Sequence, residues 1–117
     1  MTLTTITTAE AIVATSQQNG GGTFAPSGLP VTSGIAVTVE VVGKADTLTE
    51  ADIETALAAV QPNEAVGTWF DQENGVWEIS RTWVCEQSFR QAAFEFAAAA
   101  GERYVYDLDA DECVAVS

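Results

Sequence analysis

Three aspartates at alternate positions, Asp107, Asp109 and Asp111, have the spacing with which a calcium loop opens, because a hard cation gathers several oxygen ligands from one turn. Glu112 then stands where such a loop needs glycine for its sharp turn, so the run reads as the solvated turn of a hairpin. Gly43-Lys44 resembles the end of a phosphate-binding loop, but the preceding glycine spacing is absent. Ala45 also replaces the magnesium-holding Ser or Thr, which excludes that chemistry. Gly20-Gly21-Gly22 lacks the strand before and helix after that a dinucleotide site requires, and reads as a turn. Cys85 precedes a predicted helix, a position that lowers a thiol's pKa. With no basic or resolving neighbour in sequence it reads as a small packed hydrophobe. The chain has no histidine, which removes the usual general base and the commonest metal ligand. Any two carboxylates could meet in a cleft, and nothing in their spacing singles out a pair. No catalytic, cofactor-binding or metal-binding residue is nominated, and no cofactor is expected.

Seventeen Asp and Glu face only Lys44, Arg81, Arg90 and Arg103, a net charge of −13. Phosphate recognition rests on Lys and Arg, so nucleic acid is not expected as a direct ligand, nor is an anionic membrane. A basic protein partner is favoured electrostatically; a coat that only confers solubility is the competing reading. Two cysteines are too few for a disulfide framework and read as free thiols of a reducing compartment. The first residues lack a basic segment followed by an apolar run, which predicts a soluble, cytoplasmic protein.

The 117 residues suffice for a single domain. Residues 1–34 should form a helix and a Gly/Pro-rich hairpin packed on a 35–117 core. Thr7 with Glu10 makes a helix start over Thr7 to Gln18, with Ile6 as a hydrophobic staple and Ile12 and Val13 as anchors; Asn19-Gly20 ends it. Thr23-Phe24 and the stretch after Pro30 flank a turn at Pro26-Ser27-Gly28. Ile35 to Val42 is a strand, predicted to carry Ile35, Val37, Val39 and Val41 on one face. Thr47 with Glu50 is the expected capping box of a helix from about Thr49 to Val60, stopped by Pro62. Ala65 to Asp71 and Val76 to Val84 form a hairpin reversed at Asn74-Gly75, with Trp77, Ile79 and Trp83 sharing a face that Arg81 interrupts. A helix from about Ser88 is expected to anchor on the sheet through Phe89 and Phe96, within an apolar stripe that also includes Ala92, Ala93, Ala97 and Ala100. Phe94 falls off that stripe and is either buried or a contact residue. Tyr104 to Leu108 and Cys113 to Val116 are the last strands, the second at an edge. The order predicts an α+β fold, an antiparallel sheet with two helices on one face and ferredoxin-like order (βαββαβ), with the N-terminal helix and hairpin added. A less regular α+β sheet containing that hairpin is the alternative.

Asn19-Gly20-Gly21-Gly22-Thr23-Phe24 leading to Pro30-Val31-Thr32-Ser33-Gly34, then Val66-Gly67-Thr68-Trp69, then Gly101-Glu102-Arg103-Tyr104-Val105-Tyr106-Asp107-Leu108 together resemble segments of small proteins encoded by actinobacterial phages and related mobile elements. The resemblance spans most of the chain in the expected order. It carries no activity and no site residue. It implies a phage accessory protein acting in the bacterial host cytoplasm.

Three classes of function compete. A non-enzymatic accessory protein would bind a host protein with a basic surface, competing there with nucleic acid, since rigidly displayed carboxylates imitate phosphates. A virion-associated or self-assembling homo-oligomer would use sheet edges and the Ala/Phe-rich helix. A small enzyme is disfavoured by the missing histidine and motifs. The candidate partner-binding residues are Glu50, Asp52 and Glu54 on one helix, Asp71 and Glu73 at the hairpin, Asp109, Asp111 and Glu112 near the C-terminus, and Trp69. Trp69 alternates with Phe70, so it is either an exposed contact residue or is covered by the N-terminal segment.

Overall fold

The structure, a computed structural model, describes residues 7–116. In chain order the elements are helix α1 (Thr8–Asn19), strands β1 (Gly21–Phe24) and β2 (Ile35–Ala45), helix α2 (Glu50–Ala59), strands β3 (Glu64–Asp71) and β4 (Val76–Cys85), a 3-10 turn at Gln87–Phe89 leading into helix α3 (Arg90–Ala99), and strands β5 (Tyr104–Asp107) and β6 (Glu112–Ala115). All six strands form one antiparallel sheet in the order β1-β3-β4-β2-β5-β6. The α+β class and the edge position of β6 agree with the sequence reading. The staple expected at Ile6 lies outside the described residues.

Helix α1 starts where the Thr7 hydroxyl accepts the Glu10 N–H at 3.1 Å and ends at Gly20, whose φ is 77°. Helix α2 is capped two residues later than expected. Thr49 and Asp52 form the reciprocal box: Thr49 Oγ1 accepts the Asp52 N–H at 3.3 Å, and the Asp52 carboxylate accepts the Thr49 N–H at 3.0 Å. Both Thr47/Glu50 and Thr49/Asp52 satisfy the local spacing, and packing decides between them. With Thr49 as cap, Leu48 and Ile53 occupy the two staple positions, and both are buried in one cluster.

Strand β2 keeps its predicted alternation only through Val37. Irregularities between Thr38 and Glu40 and between Val41 and Gly43 each shift the pairing with β4 by a residue. Glu40 is thereby set opposite Arg81, while Val41 is exposed. The N-terminal turn is closed by Gly28 donating to Ala25 O and Ala25 donating to Leu29 O, with a single bridge between Phe24 and Pro30. The main partner of β1 is β3. Outside β1 the Val31 N–H reaches Thr23 O, and four steps later Ile35 opens β2, three strands across from β1. Val31 sits one spacing outside β1 and so four spacings from β2, about 19 Å in a flat sheet; four steps span at most ~14 Å, so the sheet must curl.

Two apolar clusters form the core. The first joins Ala9 and Ile12 of α1, Phe24, Leu48, Ile53 and Ala56 of α2, Val66, Trp77 and Ile79; the second joins Ile35, Val37, Cys85, Val105 and Ala93 and Ala97 of α3, with Trp83 and Phe94 against it. Trp77, Ile79, Trp83 and Cys85 stand at alternate positions of β4, with Arg81 between the two sets. The expected anchoring of α3 by Phe89 and Phe96 is overturned: these are 58% and 45% exposed, while Ala93 and Ala97 are fully buried. Small side chains let the helix axis approach the sheet. The rotation is held by Arg90, whose guanidinium bonds Asp107 at 2.8 Å and lies 5.0 Å over the Phe94 ring. At positions alternating with the apolar set, Ser80 and Thr82 are buried by leaning over Gly67, where a Cβ would lie 2.7 and 2.3 Å from their hydroxyl oxygens.

Candidate functional site

The nominated acidic residues divide by what their carboxylates do. Glu50, Glu54, Glu73 and Glu112 are exposed, and their carboxylates make no hydrogen bond or ion pair among the described residues. Asp52 is committed to the α2 cap. Asp71 accepts from the backbone N–H groups of Glu73 and Asn74 and from Asn74 Nδ2 at 2.6 Å, which closes the hairpin turn. Asp109 accepts from Gly34 N at 3.0 Å, Ser33 Oγ at 2.9 Å and Gln87 Nε2 at 2.7 Å, and Asp111 accepts the Tyr106 hydroxyl. That last bond, aided by burial, pushes the Tyr106 pKa up to about 12. Asp107 takes Arg90, Gln87 and the Ala110 N–H. Asp107 and Asp109 thus meet at the Gln87 amide, whereas Asp111 is engaged by Tyr106, so the three alternate aspartates do not converge on one point.

These bonds hold carboxyl groups ionised. Asp107 is lowered chiefly by Arg90, Asp109 by the Gly34 N–H, Asp71 by Asn74 and Glu64 by Arg81. A carboxylate whose folded pKa is depressed contributes stability above its unfolded pKa and loses it as pH falls through the folded value. Stability should therefore be flat from neutrality to about pH 5 and fall progressively below about pH 4. Urea midpoints measured across that range check this, and a midpoint that rises on acidification would contradict the assignment.

Cys85 lies in the wall of a cleft of about 380 Å³ shared with Ser33, Gly34, Val84, Glu86, Gln87 and Asp109. Burial pushes its thiol pKa up, the opposite of an activated nucleophile. By register Cys85 aligns with Ile35 and Asp107, whereas Cys113 aligns with Tyr106 and Ala36, one residue along, so the two side chains leave opposite faces of the sheet. Alkylation should modify exposed Cys113 readily in the native protein and Cys85 only on unfolding, as mass spectrometry without reductant would show. A Cys85 to Cys113 bridge, or equal native reactivity, would contradict the placement.

Sequence reasoning missed a groove along α3. Arg81 makes a bidentate pair with Glu64, both bonds 2.8 Å, and a third bond to Glu40 at 3.1 Å. Glu64 is largely covered, its side chain only 12% exposed, while that of Glu40 is 59% exposed. Above this trio Val39, Glu64, Trp83 and Phe96 line a groove of about 230 Å³, with the Trp83 and Phe96 rings tilted at a centroid separation of 5.6 Å. Phe89, Ala92, Phe96 and Ala99, spaced along one side of the helical turn, are all exposed. The legible hint was Arg81 breaking the apolar face of β4. Trp69 is 51% exposed, so the N-terminal segment does not cover it.

Comparison with protein-family models, curated proteins and solved structures finds no match. Among the described residues no helix is long and apolar enough to cross a membrane.

Proposed function

We propose that this chain is a non-enzymatic, acidic accessory protein of a phage or related mobile element, which binds a host protein in the bacterial cytoplasm and competes with nucleic acid for a basic surface. The observation that carries the reading is the exposure of Trp69, Phe89, Phe96 and Tyr104 on a chain of net charge −13. Exposed aromatics supply desolvated anchors at interfaces, and the surrounding charge steers a cationic partner and repels nucleic acid. We read the 35–107 core as a ferredoxin-like unit with α2 and α3 on one face. The antiparallel order β3-β4-β2-β5, which sets β4 between β3 and β2, supports this. Nothing in that scaffold specifies a reaction, and the functional reading rests on the surface alone.

Immobilised protein exposed to host lysate should retain one basic host protein in stoichiometric amount. That protein should be released by salt well above ~0.15 M, where the Debye length falls below about 8 Å, and displaced by duplex DNA. Retention of no host protein, or co-purification with phage particles alone, would overturn the reading in favour of a structural role.

A further inference from the structure

We infer that the groove beside α3 is the seat of a cationic amphipathic segment of the partner, one that sets apolar side chains against Phe96, Phe89 and Trp83 and directs Lys or Arg toward Glu40 and Glu95. The inference rests on the proposed binding function and names the surface that performs it. A helix normally turns its large apolar residues inward; α3 turns only Phe94 that way, buries Ala93 and Ala97, and together with the 3-10 turn before it presents Phe89, Ala92, Phe96 and Ala99. Scattered exposed apolar residues are ordinary, but here the stripe adjoins a concave wall already built from Trp83 and Val39.

Charge selects the occupant. Two carboxylates against one guanidinium leave the Arg81 trio at −1, and the largely solvated Glu40 bonds Arg81 through Oε1 only, so its second oxygen can accept from an incoming cation. Glu95 lies on the exposed flank of the stripe, where among the described residues its carboxylate accepts a bond from Gln91 alone. Arg81 repels an incoming cation at short range, but it is locked against Glu64 and only 21% exposed. A second copy of the chain would bring another −13 to the same face. The segment is thus expected to be basic on its flanks and apolar on its buried side, as in helix-in-groove recognition.

The test uses the full chain and a synthetic amphipathic helical peptide of leucine and lysine, with an all-lysine peptide and a leucine–glutamate peptide as controls. Calorimetry should give one-to-one binding of the leucine–lysine peptide, with a change in tryptophan fluorescence that persists in a Trp69→Phe background. The all-lysine peptide should bind at least about tenfold more weakly, and the acidic peptide not at all. Phe96→Ala and, separately, Phe89→Ala should each weaken binding by roughly tenfold, as expected for aromatic anchors. Glu40→Gln should weaken it several-fold at low salt and little at high salt. Phe89 makes the safer variant for folding because it is the more exposed. Equal binding of the leucine–lysine and all-lysine peptides, affinities unchanged in both Phe variants, or sedimentation showing a dimer that Phe96→Ala dissociates would each overturn the inference. Retention of a basic host protein that ignores both Phe variants would remove the groove and leave the proposed function. Peptide binding without any retained host protein would do the reverse.

Discussion

Replacing Phe24 by alanine should cost about 3 to 5 kcal/mol of folding stability, the usual range for emptying a buried phenylalanine site. Phe24 is 1% exposed and is the largest fully buried side chain; it belongs to the cluster that joins α1, α2, β3 and β4. Its strand has four residues; beyond the ladder with β3, Phe24 bridges Pro30 and Thr23 O accepts the Val31 N–H. The ring is walled by α1, α2, β3 and β4, so no single element can move in to close over the space. Against a total of about 5 to 15 kcal/mol for a small domain, such a loss moves the urea midpoint far without altering the slope. Phe96→Ala, which loses the Trp83 ring contact of a half-exposed side chain, should cost clearly less, about 1 to 2 kcal/mol. A Phe24→Ala cost below about 1 kcal/mol, or a Phe96→Ala cost above about 3, would show that the buried and exposed faces have been exchanged.

Gly34→Ala should be nearly as damaging. Gly34 has φ 104°, and a Cβ there would lie 2.4 Å from the Cys85 carbonyl oxygen and 3.1 Å from Val84 Cγ1. The first neighbour is backbone and has no rotamer to yield. Gly34 also donates its N–H to Asp109 and accepts from Leu108, so it fastens the turn after β5 to the start of β2. Backbone strain alone is worth about 1 to 3 kcal/mol, and the collision adds to it. The expected outcome is a loss above about 2 kcal/mol together with faster native alkylation of Cys85, because the same displacement opens its cleft. Gly75→Ala is the control: φ is 67° and nothing lies within 4 Å, so only the left-handed penalty of about 1 to 2 kcal/mol applies. Equal costs at the two sites would deny the close contact.

Local signals were legible where chemistry and geometry coincide. The Asn74-Gly75 hairpin, the Gly20 stop and the alternation of β4 follow from residues adjacent in sequence. Helix α3 misled because alanine and phenylalanine occupy most directions around it, so apolar spacing does not define one face. Its rotation is fixed by Arg90 reaching Asp107, a partner 17 residues away. The bulges of β2 and the pairing of β1 with β3 are likewise set by contacts remote in sequence. At the candidate site the division was present in residue type. The four nominated carboxylates that serve the fold are all aspartates and the four that stay in solvent are all glutamates; Asp52 and Asp71 bond adjacent backbone as short side chains do, whereas Asp109 reaches Ser33, Gly34 and Gln87, partners remote in sequence, and Asp111 the Tyr106 hydroxyl. On the proposed function, mimicry of a phosphate array would rest on Glu50, Glu54, Glu73 and Glu112, with the aspartates as scaffold.

That distinction defines the decisive variant. Glu50→Lys, Glu54→Lys and Glu73→Lys combined leave the α2 cap and the hairpin turn intact, so the unfolding midpoint should stay close to that of the parent. Affinity for the retained host protein, titrated by calorimetry across a range of salt, should fall by about tenfold or more at low ionic strength and converge toward the parent value at high salt. An affinity equal to that of the parent at every salt concentration would contradict the account and leave the acidic surface as a coat that only keeps the protein in solution.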